Sequence, residues 1–149
     1  MAYTHNTYDR RIQLGASRRR REDAESLLHN RRWAGAVYLG GYAIECALKS
    51  LICYNEKKNN IADTRFFQRG VQGVTLHNLR FLLNELPDLQ RAIATDRTGK
   101  YKAAWNLITT HWQKDHLRYW DRIGDEQICE QFLEAIKLLH TYLLMSQGE

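Results

Sequence analysis

Apolar side chains recur at helical spacing along most of this chain, and no segment alternates like a β-strand. Ser17 and Thr75 are predicted to cap two of the helices. Residues 55–74 are polar and carry two glycines, so they are predicted to form a long connection. The pattern predicts an all-α protein with helices at about 17–30, 32–54, 75–86, 88–94, 100–112 and 125–145.

The second predicted helix is apolar on nearly all sides. A helix of this kind must lie at the centre of a bundle or in a dimer interface, because solvent cannot cover so much apolar surface. Gly35, Gly40 and Gly41 each cost the helix about 1 kcal/mol of propensity. Their presence indicates that other elements approach this helix closely, and the excess of apolar surface predicts a symmetric homodimer.

Length and composition are those of one folded domain. The chain has 149 residues, of which 44% are hydrophobic, enough to form one core. One proline and nine glycines are too few for an all-β fold with many short strands. We expect an N-terminal arm over residues 1–16 and an up-and-down bundle of four to five helices over residues 17–149.

Positive charge is concentrated near the N-terminus. Residues 1–32 hold eight arginines and four acidic residues, a local charge of +4, whereas the whole chain carries +5. Arg18 and Arg19 are candidate ligands for phosphate or RNA, because the guanidinium fork matches phosphate oxygens. Alternatively, Arg18 to Arg21 form a solvated helix face and pair with Glu22, Asp23 and Glu25. The sequence leaves both interpretations open.

Cysteine usage and the lack of a long uncharged segment narrow the class of protein. Three cysteines without a CxxC pair indicate neither a disulfide framework nor a zinc knuckle. The longest nearly uncharged run, residues 33–52, contains Glu45 and Lys49, and no charged-then-apolar leader opens the chain. We therefore expect a cytoplasmic protein with no membrane segment.

Glu45 is an acidic residue within the apolar second helix. Such a carboxylate must be paired, protonated or turned toward a cleft. Arg118, followed by Tyr119, is the predicted partner, because it precedes the last helix and can reach back over the bundle. The pair is either a structural ion pair or part of a polar pocket for phosphate or nucleotide.

No common catalytic or metal-binding motif is present. His111 and Asp115 share a helix face, but His116 lies five residues from His111 and points elsewhere, so no metal site is predicted. His77 opens the third predicted helix, where a histidine ordinarily hydrogen-bonds the preceding loop. Nucleophile elbows, Walker loops, HExxH and dinucleotide fingerprints are absent, and no cofactor is expected.

The second helix reads Ala34-x3-Tyr38-Leu39-x2-Tyr42-Ala43-x-Glu45-Cys46-Ala47-Leu48-Lys49. This segment, together with His77-Asn78-Leu79 and Arg118-Tyr119, resembles prokaryotic HEPN-domain proteins over about residues 17–145. The resemblance implies a helical bundle, often homodimeric, that is often encoded with a small nucleotidyltransferase in toxin-antitoxin or defence modules.

Many HEPN proteins cut RNA without metal, with an arginine followed after four to six residues by a histidine. None of the six histidines has such an arginine, and Ala135 stands where His140-x-Tyr142 would need it. We therefore expect a non-catalytic module that binds nucleotide, RNA or a partner nucleotidyltransferase. Its expected ligand-binding residues are Glu45, His77, Arg118, Tyr119, Arg18 and Arg19.

The alternative is a metal-independent ribonuclease with a non-standard site. In that case His116 or His111 acts as the base, and Arg118 binds the phosphate.

Overall fold

The computed structural model describes residues 6–119 and 126–149, and the elements assigned in these residues are all helices. One isolated antiparallel bridge joins Asp9 to Asn60. The protein is therefore all-α, as predicted. Its helices are α1 (Arg10–His29), α2 (Trp33–Glu56), α3 (Arg65–Gln68), α4 (Leu79–Asn84), α5 (Pro87–Thr95), α6 (Lys100–His111), α7 (Lys114–Tyr119) and α8 (Glu126–Met145).

Helix α1 begins earlier than its sequence pattern suggests. Asp9 is the N-cap, and its carboxylate accepts hydrogen bonds from the backbone N–H groups of Arg11 and Ile12 at 2.8 and 3.3 Å. Ser17 is buried inside the helix, where its hydroxyl donates to the Leu14 carbonyl oxygen at 2.7 Å. The predicted cap at Ser17 is wrong, because a stronger acidic cap lies upstream.

The segment predicted as a long connection contains short helical elements. A 3₁₀ turn at Ile61–Asp63 leads into α3, whose N-cap is Thr64. Ile61 and Phe66 are buried and anchor these turns in the core. Two well-spaced apolar residues therefore order a segment whose overall composition is polar.

The start of the third predicted helix also differs from the prediction. Thr75 lies within a 3₁₀ turn at Gly73–His77, and α4 begins only at Leu79. Asn78 is the N-cap, since its side-chain oxygen accepts from the N–H groups of Arg80 and Phe81. As a result, His77 lies on the turn that precedes α4.

Helix α2 lies at the centre of the bundle. Helices α1 and α8 pack along it, α4 and α7 also contact it, and α6 packs against α8. A Cβ on Gly40 would lie 3.3 Å from the Phe132 ring of α8, so this glycine allows close packing. The apolar circumference of α2 is thus covered within the chain. A dimer interface is not needed to explain it.

The length and composition of α2 would also suffice for a membrane span. Of its most apolar window, 78% is buried inside the structure, as in the core helix of a soluble protein. Burial within the bundle therefore accounts for the apolar composition of this helix.

Gly41 makes room for the indole of Trp112, which follows α6. The indole Nε1 donates a hydrogen bond of 3.0 Å to the Tyr38 carbonyl oxygen. A Cβ on Gly41 would lie 2.0 Å from that Nε1. The indole therefore packs directly on the α2 backbone, and this contact fixes where the chain leaves α6.

Replacing Gly41 by alanine should destabilise the fold by about 3 kcal/mol or more, because the new methyl group displaces a buried indole. Gly35→Ala is the matched control. Its Cβ would meet only the movable Leu27 side chain at 3.2 Å, so stability should stay within about 1 kcal/mol of the parent. Urea denaturation measures both, and equal stability of the two variants would contradict the packing argument.

Candidate functional site

The Glu45 carboxylate is buried in α2 and surrounded by basic groups. Glu45 is 3% exposed. Its Oε2 lies 3.0 Å from Lys49 Nζ, one turn further along α2, and 3.2 Å from His77 Nδ1. Its Oε1 accepts a hydrogen bond of 2.8 Å from Lys114 Nζ. Both carboxylate oxygens therefore have partners.

His77 reaches this carboxylate from the turn before α4. Its side chain is 48% exposed, so the ring bridges the buried carboxylate and solvent. The Nδ1 atom also lies 3.0 Å from Lys49 Nζ. The other ring nitrogen, Nε2, has no hydrogen-bond partner among the described residues. The ring therefore presents one free polar edge.

Lys114, the first residue of α7, completes a cluster with Glu45, Lys49 and His77. Its ammonium group donates to Glu45 Oε1 and to the His77 carbonyl oxygen. It also lies 4.5 Å from the centre of the Trp112 ring, a cation–π contact. These contacts hold the lysine in one place, although 23% of its side chain remains exposed.

The basic groups keep Glu45 ionised. Burial alone would raise the pKa of this carboxyl group. The hydrogen bond from His77, followed by the charges of Lys49 and Lys114, outweighs burial and lowers the pKa to about 2. At neutral pH the cluster therefore holds one buried negative charge between two ammonium groups.

The cluster forms one wall of an open cavity of about 790 Å³. Tyr42 and Trp112 supply an aromatic wall and contact each other edge to face at 5.1 Å. Arg80, Asp115 and His116 also line the cavity. The volume is in the range of small-molecule binding sites. The arrangement of cations beside aromatic rings suits an anionic ligand with a flat group.

The structure brings together some of the residues predicted from sequence. Glu45 and His77 are in contact, and His116 lines the same cavity. His111 ends α6 and does not line it, and Tyr119 is 87% exposed at the end of α7. The side chain of Arg118 lies outside the described residues, so its pairing with Glu45 stays a prediction.

Three of the four arginines from Arg18 to Arg21 have carboxylate partners nearby. Arg20 pairs with Asp23, Arg21 with Glu25 and Arg18 with Glu149, each at 3.0 Å, and Arg19 is exposed. The first two pairs are those expected of a solvated helix face. A ligand role for Arg18 and Arg19 stays a prediction.

Two residues of the cluster were not predicted as site residues. Lys49 follows Glu45 by four positions, and this spacing is a known signal for an ion pair on one helix face. Lys114 is 69 residues away, and its proximity to Glu45 arises only from the packing of α7 on α2. Among the described residues, no group of three His, Cys, Asp or Glu side chains is placed to hold a metal ion.

A second buried polar cluster joins α1 to α8. His140 is 2% exposed, its Nε2 lies 3.1 Å from Ser17 Oγ, and its Nδ1 lies 3.3 Å from an Arg21 guanidinium nitrogen. Because Ser17 donates to Leu14, its hydroxyl accepts from Nε2–H, and Nδ1 accepts from Arg21. Burial, then the charges of Arg21 and Arg18, lowers the pKa of His140 to about 4. This neutral, enclosed histidine serves the packing of the two helices.

Comparison of the chain with protein-family models, curated proteins and solved structures finds no match.

Replacing Glu45 by glutamine should lower the free energy of unfolding at neutral pH by about 3 to 5 kcal/mol, because Lys49 stays buried without its counterion. Lys114→Gln should cost less, since that side chain reaches solvent. Urea denaturation compares them, and a Glu45→Gln variant within about 1 kcal/mol of the parent would show that the charge is not needed for folding.

The His140 cluster predicts a specific loss of stability in acid. The unfolded chain protonates this ring near its ordinary pKa of 6.5 and the folded chain only near 4, so the stabilisation is complete above 6.5 and disappears as the pH falls toward 4. The loss amounts to up to about 3 kcal/mol. A His140→Gln variant should lack this part of the pH dependence, and the exposed-site control His29→Gln should keep it. Parallel stability curves for all three proteins would refute the assignment.

Proposed function

We propose that this chain is a HEPN-like helical module that binds a nucleotide in the Glu45 cavity without cleaving it. Two further parts of the proposal, a homodimer and a partner nucleotidyltransferase in a toxin-antitoxin or defence module, come from the resemblance to HEPN proteins. That resemblance lies in α2, in His77-Asn78-Leu79 and in Arg118-Tyr119. The observation that carries the nucleotide proposal is the position of Lys114, an ammonium group fixed between a buried carboxylate and an aromatic wall.

The charges at the cavity favour a phosphate-bearing ligand. Lys114 has three N–H donors, of which Glu45 and the His77 carbonyl oxygen use two. The third is available to a ligand, together with the free edge of His77 and the guanidinium of Arg80 on the cavity wall. Donors of this kind bind phosphate oxygens by charge-assisted hydrogen bonds.

The same geometry favours a small nucleotide over a long RNA. An RNA chain needs a track of free cations that neutralises several phosphates. On α1, however, Arg18, Arg20 and Arg21 are each within 3.0 Å of a carboxylate. By contrast, His77, Arg80 and Lys114 converge on one cavity, which has the size of a small-molecule site.

A ribonuclease that uses His116 is the second candidate. The observation in its favour is that His116 lines the same cavity as Lys114, so a base and a phosphate ligand share one site. Metal-free cleavage of mixed RNA that is lost in a His116→Ala variant would support this candidate over the binding module.

Binding of AMP, measured by isothermal titration calorimetry, tests the proposal. Lys114→Ala should weaken binding about tenfold or more, because a charge-assisted hydrogen bond contributes about 1.5 to 3 kcal/mol. Folding should be preserved, since Glu45 keeps Lys49 and His77 as partners.

Lys100→Ala is the matched control for this measurement. Lys100 begins α6, lies over the Tyr101 ring and does not line the cavity. Its removal should leave AMP affinity unchanged. Equal losses in both variants would indicate a general charge effect, and the absence of AMP binding at millimolar concentration would contradict the proposed function.

A further inference from the structure

The Nδ1 atom of His77 has two neighbours that require different protonation states. Lys49 Nζ lies 3.0 Å away and can only donate a hydrogen bond, so it needs a lone pair on Nδ1. Glu45 Oε2 lies 3.2 Å away and can only accept, so it needs a proton on Nδ1. A neutral ring satisfies one neighbour at a time. A charged ring donates to Glu45 and leaves Lys49 without an acceptor on Nδ1, so a nearby negative charge is needed to stabilise it. It also carries a second N–H on Nε2, and the His77 side chain lines the cavity.

The formal charges around this ring explain when the charged form is favoured. Glu45, Lys49 and Lys114 sum to +1. On the other walls, Arg80 from α4 and Asp115 from α7 cancel, and His116 is the second histidine among the described lining residues. A singly charged ligand balances the cluster as it stands. A doubly charged ligand balances it only when His77 also becomes cationic.

We propose that the cavity recognises the dianionic phosphate of a phosphomonoester, the terminal phosphate of a nucleotide, and that His77 takes up a proton when this group binds. This inference rests on the proposed function and specifies the part of the nucleotide that the cavity recognises. A phosphodiester carries one negative charge and has no need of the proton. His77 is therefore the residue that distinguishes a nucleotide end from the interior of a nucleic-acid chain.

Two small anions separate this charge effect from everything else in a nucleotide. Sulfate is a tetrahedral dianion that does not titrate between about pH 5.5 and 8.5, and dimethyl phosphate is a monoanion over the same range, so any pH dependence comes from the protein. Calorimetry in two buffers of different ionisation enthalpy counts the protons taken up. At about pH 6 we expect sulfate to bind more tightly than dimethyl phosphate by a factor of about ten or more, with uptake of a proton. At about pH 8 the two affinities should differ by less than about threefold.

Variants assign the proton to one ring. His77→Gln keeps an amide that can donate to Glu45 but cannot titrate, so it should lose both the proton uptake and the preference for sulfate. His29→Gln, at the exposed end of α1, should behave like the parent. Proton uptake that persists in His77→Gln would overturn the assignment.

The remaining outcomes distinguish the inference from the proposed function. If both anions bind equally at every pH while AMP still requires Lys114, the inference is wrong and the nucleotide site stands. If neither the anions nor AMP bind, both are wrong.

Discussion

The burial of one carboxylate, that of Glu45, is the constraint on which the candidate site depends. An ionised group in the centre of an apolar helix is destabilising unless other charges compensate it. Here the compensation comes from three parts of the chain: Lys49 on the same helix, His77 on the turn before α4, and Lys114 at the start of α7. The charge therefore attracts side chains from two separate connections to one point, and it gathers their polar groups around one cavity.

A steric contact determines whether Lys114 can reach that carboxylate. Trp112 packs against Gly41, where no larger residue fits, and its indole hydrogen-bonds the Tyr38 carbonyl oxygen. The chain then continues into α7 directly over the buried acid. The indole ring also forms the surface on which the lysine ammonium rests, 4.5 Å from the ring centre. Packing and electrostatics thus act on the same few residues, and a substitution at Gly41 should displace Trp112 and with it Lys114.

Much of the fold follows from local patterns, whereas the site depends on contacts between distant residues. Helices α2, α6 and α8 were predicted nearly to their ends, because each carries a continuous apolar face. The start of α1 was not predicted, since the residues that follow the Asp9 cap show no regular spacing of apolar side chains. Glu45 was predicted to need a cationic partner, because a buried acid requires one wherever it lies. The contact of Lys114 with Glu45 depends on how α7 packs against α2, and no spacing in the sequence indicates that packing.

The central claim is that ligands bind in the Glu45 cavity and do not bind on the arginine-rich face of α1. Mapping of backbone amide chemical shifts during a titration with AMP tests it most directly. We expect the largest changes at Tyr42 to Glu45, at Val74 to Arg80 and at Trp112 to His116, with little change around Arg18 to Arg21. Changes concentrated along α1, with none in the cavity, would contradict the account.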